Sequence, residues 1–185
     1  MNTGQAMLVI GAFALLSTLT LAVNATIVMT SNMGLEMEAN LNALSYAQSM
    51  VDEILTKSFD ENTTNNRRVF TNAGMTARGS FGSDGGEAIT GPDSSRTGNF
   101  QSQWRFDDVD DYHGYLRWVW NTRLGWFIIR DTIEYVHEDN LTLQNSQTWH
   151  KKITVNVQNY SMIKDQSGNV IAYRIHDVAV YRKYY

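Results

Sequence analysis

The 185-residue chain contains no cysteine, which excludes disulfides, thiolate metal sites and cysteine nucleophiles together. Its single proline is Pro92, so the residues before it are without the strongest helix breaker. Charge is missing from the front: no Asp, Glu, Lys or Arg precedes Glu36. An excess of basic residues is also absent. Lys and Arg number 15 against 19 Asp and Glu, giving a formal net charge of -4 and a pI of about 5.5. Nucleic acid is therefore not a favoured partner, because its backbone selects a basic face.

What is present is distributed unevenly. Hydrophobic residues make up 43% of the chain, yet the mean hydropathy is -0.33, so the apolar content must be concentrated. It lies in the stretch beginning "GQAMLVIGAFALL". A secretory signal peptide needs a basic n-region and a shorter apolar core than the run from Ala6 to Val23. A membrane anchor suits that run, since eighteen helical residues rise about 27 Å. An anchor usually ends in a charge or a turn, however, whereas this one continues through Asn24, Thr26, Thr30, Ser31 and Asn32, with Gly34 its only weak point.

Helical periodicity then takes over. Met37, Leu41, Leu44, Ala47, Val51 and Ile54 recur at spacings of three and four, while Glu36, Glu38, Asn40, Gln48 and Glu53 lie off that stripe. Residues 1–58 read as one N-terminal helical region: a uniformly apolar half to residue 35 and an amphipathic half from 36 to 58. Residues 59–103 hold seven glycines and Pro92 among Ser, Thr and Asn, which is loop chemistry. This loop is expected to wrap a neighbouring surface, with Phe70, Phe81 and Phe100 as candidate anchors.

Residues 104–185 read as a sheet of about four antiparallel strands. "YLRWVWN" and "GWFIIRDTIEYVHED" are rich in aromatic and β-branched residues, and "KKITVNVQNYS" places Ile153, Val155 and Val157 on one face. "KDQSGNV" supplies a turn before the last strand region. The sheet needs a cover, and the stripe of Met37, Leu41, Leu44, Val51 and Ile54 is the available one. The predicted class is α+β, a long N-terminal hydrophobic helix packed on a C-terminal antiparallel sheet.

A short leader ending in Gly4, an unbroken apolar helix, a variable loop and a sheet resemble a type IV pilin or pseudopilin. "FDDVDDYHGY", "DTIEYVHED" and "HKKITVNV" resemble minor pilins of the mannose-sensitive haemagglutinin group. The resemblance implies processing after Gly4, so that Gln5 becomes the first residue, and it places Val9 where these proteins usually carry glutamate. An alternative frame takes Met1 as the mature start and puts Gln5 at the glutamate position. The resemblance further implies a filament core made of Met7, Leu8, Ile10, Phe13, Leu16, Leu19, Val23 and Ile27. Implied partners are other copies of the chain, other pilin-like subunits, assembly machinery of the pilus or type II secretion kind, and the inner membrane before assembly.

Other chemistry is weakly represented. Asp107, Asp108, Asp110 and Asp111 offer carboxylates for calcium, but their spacing is not that of an EF-hand, and a turn with acidic capping accounts for them. His113, His137, His150 and His176 lack zinc spacing, no nucleophile elbow occurs, and "GSFGSDGG" lacks the lysine and following helix of a phosphate cradle. No metal is favoured, no cofactor is expected and no enzyme is indicated. The expected function is a structural filament subunit; the alternative is a membrane-tethered periplasmic adaptor or binding domain that does not polymerise. If Gly4 is the processing site, Gly4→Ala leaves the leader attached in mass spectrometry of the N-terminus. Met1 at the start of assembled subunits would rule out cleavage there.

Overall fold

The computed structural model describes residues 2–96 and 98–182. They divide into two units, Met1–Glu38 and Ala39–Tyr185, and helix α1 (Thr3–Leu55) contributes residues to both. Asn24 and Gly34 stay helical. Several polar side chains within the apolar run are satisfied by the helix itself. Ser17, Thr20 and Thr26 donate to the carbonyls of Phe13, Leu16 and Ala22 at 2.8, 2.8 and 2.9 Å, and Thr18 donates to that of Leu15 at 2.9 Å. Such a bond hides the hydroxyl, so an apolar medium around the helix meets no unspent donor there.

The helix ends where the Thr56 and Lys57 amides close onto the Glu53 and Ile54 carbonyls at 3.2 and 3.1 Å. Lys57 then donates to the carbonyls of Phe106 and Gln103 at 2.7 and 2.9 Å, fixing the exit of the chain. Downstream come β1 (Asp93–Ser94), the single turn of α2 (Ser102–Arg105), β2 (Leu116–Asn121), β3 (Gly125–Tyr135), β4 (His150–Asn159) and β5 (Tyr173–Val180). The strands form one sheet in the order β1-β2-β3-β4-β5; β1 runs parallel to β2 and every other neighbour pair is antiparallel. The sequence expectation of four strands misses β1, a two-residue strand too short to show any periodicity.

Turn chemistry sets the hairpins. Asn121 Oδ1 accepts from the amides of Arg123 and Leu124, and Gly125 takes a φ of 77° that other residues avoid. Asp165 accepts from the amides of Ser167 and Asn169 before the chain enters β5. The register pairs Ile129 with Val157 and Ile133 with Ile153, which puts the apolar members of both strands on one face. That face and the C-terminal part of α1 form the core, a class α+β arrangement.

The helix face turned to the sheet keeps Ala47, Val51 and Ile54 of the expected stripe and departs from its first half. Met37, Leu41 and Leu44 are 62, 65 and 41% exposed, whereas Ala39, Ala43, Ala47, Met50, Val51 and Ile54 are all buried. The physical reason is volume. Alanines four residues apart add little volume to a layer that the sheet's own side chains, Phe127, Ile129, Ile133, Ile153 and Val155 among them, already fill. Leucine at those alanine positions would overfill it.

The loop of residues 59–103 folds back on its own head through three 3-10 turns, Glu61–Thr63, Asn72–Gly74 and Arg78–Ser80. Phe81 packs against Tyr135 at 5.1 Å between ring centres, and Phe100 lies under the Arg117 guanidinium at 4.0 Å. Phe70 is 72% exposed. The close-packed alanine face has a measurable consequence in the full chain held in detergent. Ala43→Leu should cost about 1–3 kcal/mol of head stability through overpacking, while Leu41→Ala stays within about 0.5 kcal/mol. Denaturant midpoints followed by tryptophan fluorescence would check this, and the reverse order would restore the leucine stripe as the packing face.

Candidate functional site

Two regions of the chain carry chemistry from which a site could be built. The first is the N-terminal segment of α1. Gly4 and Gln5 lie exposed in its first turn, where the Gln5 amide bonds the Asn2 carbonyl at 2.9 Å. Val9, Met7, Leu8, Ile10, Phe13, Leu16, Leu19, Val23 and Ile27 are between 45 and 77% exposed. An eighteen-residue window here has a mean hydropathy of 2.3 and none of it is buried, so by length and composition the segment can cross a membrane. Apolar surface on this scale is stable only when lipid or protein covers it.

The second region is a pair of buried charged clusters in the head, neither of which the sequence reading anticipated. In one, Glu53 near the end of α1 receives Arg117 Nη2 from β2 at 2.6 Å, Tyr112 Oη at 2.9 Å and Ser102 Oγ at 3.0 Å. Arg117 also donates to Ser102 Oγ at 2.6 Å and to Tyr115 Oη at 3.0 Å, and Tyr115 donates to Asp93 at 2.5 Å. Burial pushes the Glu53 carboxyl up, but Arg117, Tyr112 and Ser102 outweigh it and hold the group below its ordinary value.

In the other cluster, Lys151 of β4 is fully buried between Asp60 and Asp110, at 2.8 and 2.5 Å. Asp60 also accepts from the Asn62 and Thr76 amides, Thr76 Oγ1 and Tyr135 Oη. Burial raises Asp60, but Lys151 and the Thr76 and Asn62 amides bring it to a net lowering. Asp131 stands apart from both clusters. It is buried on the core face of β3, its carboxyl oxygens have no hydrogen-bond partner, and burial lifts it far above the usual carboxylate range.

The structure separates the four aspartates of the acidic run. Asp110 turns in to Lys151, while Asp108 and Asp111 close a tight turn on each other's backbone. Asp111 Oδ2 accepts from the Asp107 and Asp108 amides at 3.1 and 3.2 Å, and Asp108 Oδ1 accepts from the Asp111 amide at 3.1 Å. The turn continues into the 3-10 helix Asp110–Tyr112. Glu61 and Glu87, which the sequence reading did not single out, come alongside. Glu61, Asp107 and Asp108 form one group and Glu87, Asp107 and Asp111 another, each with ligand atoms within 4.8 Å. These carboxylates could hold a hard divalent cation, and they equally explain themselves as a capped turn.

Burial and then the charges of Asp110 and Asp111 push Asp108 up to about 9, and burial and Glu87 push Asp111 up to about 8. The histidines do not converge. His113 Nδ1 meets the Ile133 carbonyl at 2.8 Å and His176 Nδ1 meets Thr154 Oγ1 at 3.0 Å. Among the described residues, each cluster able to hold a metal ion consists of carboxylates alone.

No family model, no curated protein and no solved structure matches the chain. The geometry itself makes a prediction about pH. Asp108 and Asp111 keep protons in the folded head that the unfolded chain releases above its ordinary carboxylate range. Their contribution is therefore full only below the ordinary aspartate value of 3.8, declines as pH rises above it, and is gone once pH passes about 8 to 9. Each retained proton gives a slope of up to about 1.4 kcal/mol per pH unit. Glu53 and Asp60 act in the opposite sense, contributing stability above the carboxylate range that is lost in strong acid. Thermal midpoints should fall from pH 6 to pH 8, and Asp108→Asn should flatten that fall. A midpoint that rises over the same interval would contradict the protonated turn.

Proposed function

We propose that this chain is a structural subunit of a type IV pilus-like filament, held in the inner membrane by α1 before assembly and packed with copies of itself afterwards. One observation carries the reading. Exposed large apolar side chains run along α1 from Met7 to Leu44, well beyond the roughly 20 residues that a bilayer needs. Up to Leu35 no charged residue interrupts them. A lipid tether accounts for the first part of that surface. Met37, Leu41 and Leu44 remain uncovered by the head, and neighbouring helices in a bundle would cover them.

The energetics support a transfer from lipid to protein. Within a bilayer, Leu, Ile, Val and Phe gain little from meeting protein in place of lipid tails. In a filament surrounded by water the same side chains must be buried, and each contributes about 1.5–3 kcal/mol when it is. The partners in this reading are the chain itself, other pilin-like subunits and a membrane machine of the pilus or type II secretion kind. Val9 in place of the usual glutamate means that this subunit supplies no carboxylate to a neighbour's amino terminus at that depth.

The competing reading, a non-polymerising membrane-tethered adaptor, is favoured by the apolar window alone. Leu16→Asp separates the two. A charge placed in the filament axis is costly, so assembly should fail while the head stays folded. The measurement is subunit yield in sheared surface material, with negative-stain imaging of the same fraction. Wild-type chain found only in the inner membrane fraction, with no filaments, would establish the tether.

A further inference from the structure

The Lys151 cluster is more than an ion pair. The Lys151 and Asp60 side chains have no exposed surface and that of Asp110 has 4%. Nζ lies 2.5 Å from Asp110 Oδ1, 2.8 Å from Asp60 Oδ2 and 2.7 Å from the Phe59 carbonyl. The rings of Phe59, Phe81 and Tyr135 stand 4.6, 5.1 and 5.4 Å from the same nitrogen. Two carboxyls therefore share one amine inside an aromatic chamber.

Charge counting decides their states. Two carboxylates against one ammonium leave an excess negative charge, which a dry site removes by keeping a proton on one carboxyl. Asp60 is the better carboxylate, because two backbone amides and the Thr76 hydroxyl donate to it besides Lys151, with the Tyr135 hydroxyl shared between it and the Thr76 carbonyl. The proton therefore belongs on Asp110. This places a neutral carboxyl and a carboxylate base on either side of a single lysine nitrogen.

We propose that Lys151 Nζ and the Asp110 carboxyl condense inside the folded head into an intramolecular amide, with Asp60 as the proton acceptor. Asp60 takes a proton from the ammonium, and the freed amine attacks Cγ of Asp110. A nitrogen–carbon bond forms and the carbon–hydroxyl bond breaks. The hydroxyl leaves as water with a second proton from the nitrogen. One water is lost, nothing is oxidised or reduced, and the initial pair of opposite charges ends as a neutral amide and a neutral Asp60. The fold supplies what solution lacks: an amine held in hydrogen-bond contact with the carboxyl it would attack, and exclusion of the water that hydrates the charges.

The link would join the acidic turn to β4 in a chain that has no cysteine with which to staple itself. It is independent of the filament reading, since a tethered head would form it equally well.

The test is peptide mapping by tandem mass spectrometry of the full chain, purified in detergent and shown to be folded by a cooperative melt. The expected result is a branched peptide joining Lys151 to Asp110, lighter by one water than the sum of its two parts. Lys151→Met and Asp110→Ala should abolish it. Asp60→Asn, which keeps both joined residues, should greatly reduce the linked fraction. Unlinked Lys151 and Asp110 peptides from folded wild-type chain would overturn the proposal. So would a link to Asp60 instead, or loss of water from Asp110 without Lys151. An undiminished link in folded Asp60→Asn would overturn the role given to Asp60.

Discussion

The head depends on how much side-chain volume the layer between helix and sheet can hold. Ala39, Ala43 and Ala47 add little to that layer, and the sheet's own Phe127, Ile129, Ile133, Ile153 and Val155 fill it. The same limit decides which side of the helix holds the larger residues. With alanine inward, Leu41 and Leu44 must face outward, and the head therefore presents apolar side chains that it does not itself use. Packing inside the head and the availability of a surface outside it are two results of one placement.

Where the alanines stop, polar chemistry begins. Near the helix end Glu53 reaches Arg117, and just past it Asp60 reaches Lys151, so the junction between α1 and the loop is tied to β2 and β4 by ionised groups. Buried pairs of this kind add little net stability, because desolvation offsets much of their attraction. They do define the register in which helix, loop and sheet meet, since a shifted arrangement would leave a charge unpaired in the interior. The loop of residues 59–103 has few apolar residues with which to hold a single path, and Asp60, Thr76 and Tyr135 supply that definition through hydrogen bonds.

Much of this architecture is legible in the residues. The unbroken α1 follows from the absence of proline, and β3 and β4 follow from alternation. The buried helix face is legible at Ala47, Val51 and Ile54 but not at Ala39 and Ala43, because alanine contributes least to a count of hydrophobic side chains. The charged core was visible in another form. Lys151 occupies the inward parity of Ile153, Val155 and Val157, and Asp131 that of Ile129 and Ile133. A charged residue in the apolar register of a strand is a signal in itself, and reading it would have located both Lys151 and Asp131. Glu61 and Glu87, by contrast, reach the acidic turn only through the course of the loop, which no local pattern encodes.

The back-bonded hydroxyls of α1 bear on which environments this helix can tolerate. Ser17, Thr18, Thr20 and Thr26 keep their hydrogen bonds wherever the helix goes, because their acceptors belong to the same helix. Passage between acyl chains and a protein interior therefore breaks none of these bonds and asks for no replacement partner. For these groups the exchange is nearly isoenergetic. Which surroundings the segment takes is then set by what covers its apolar side chains, and its hydroxyls need no rewiring in either.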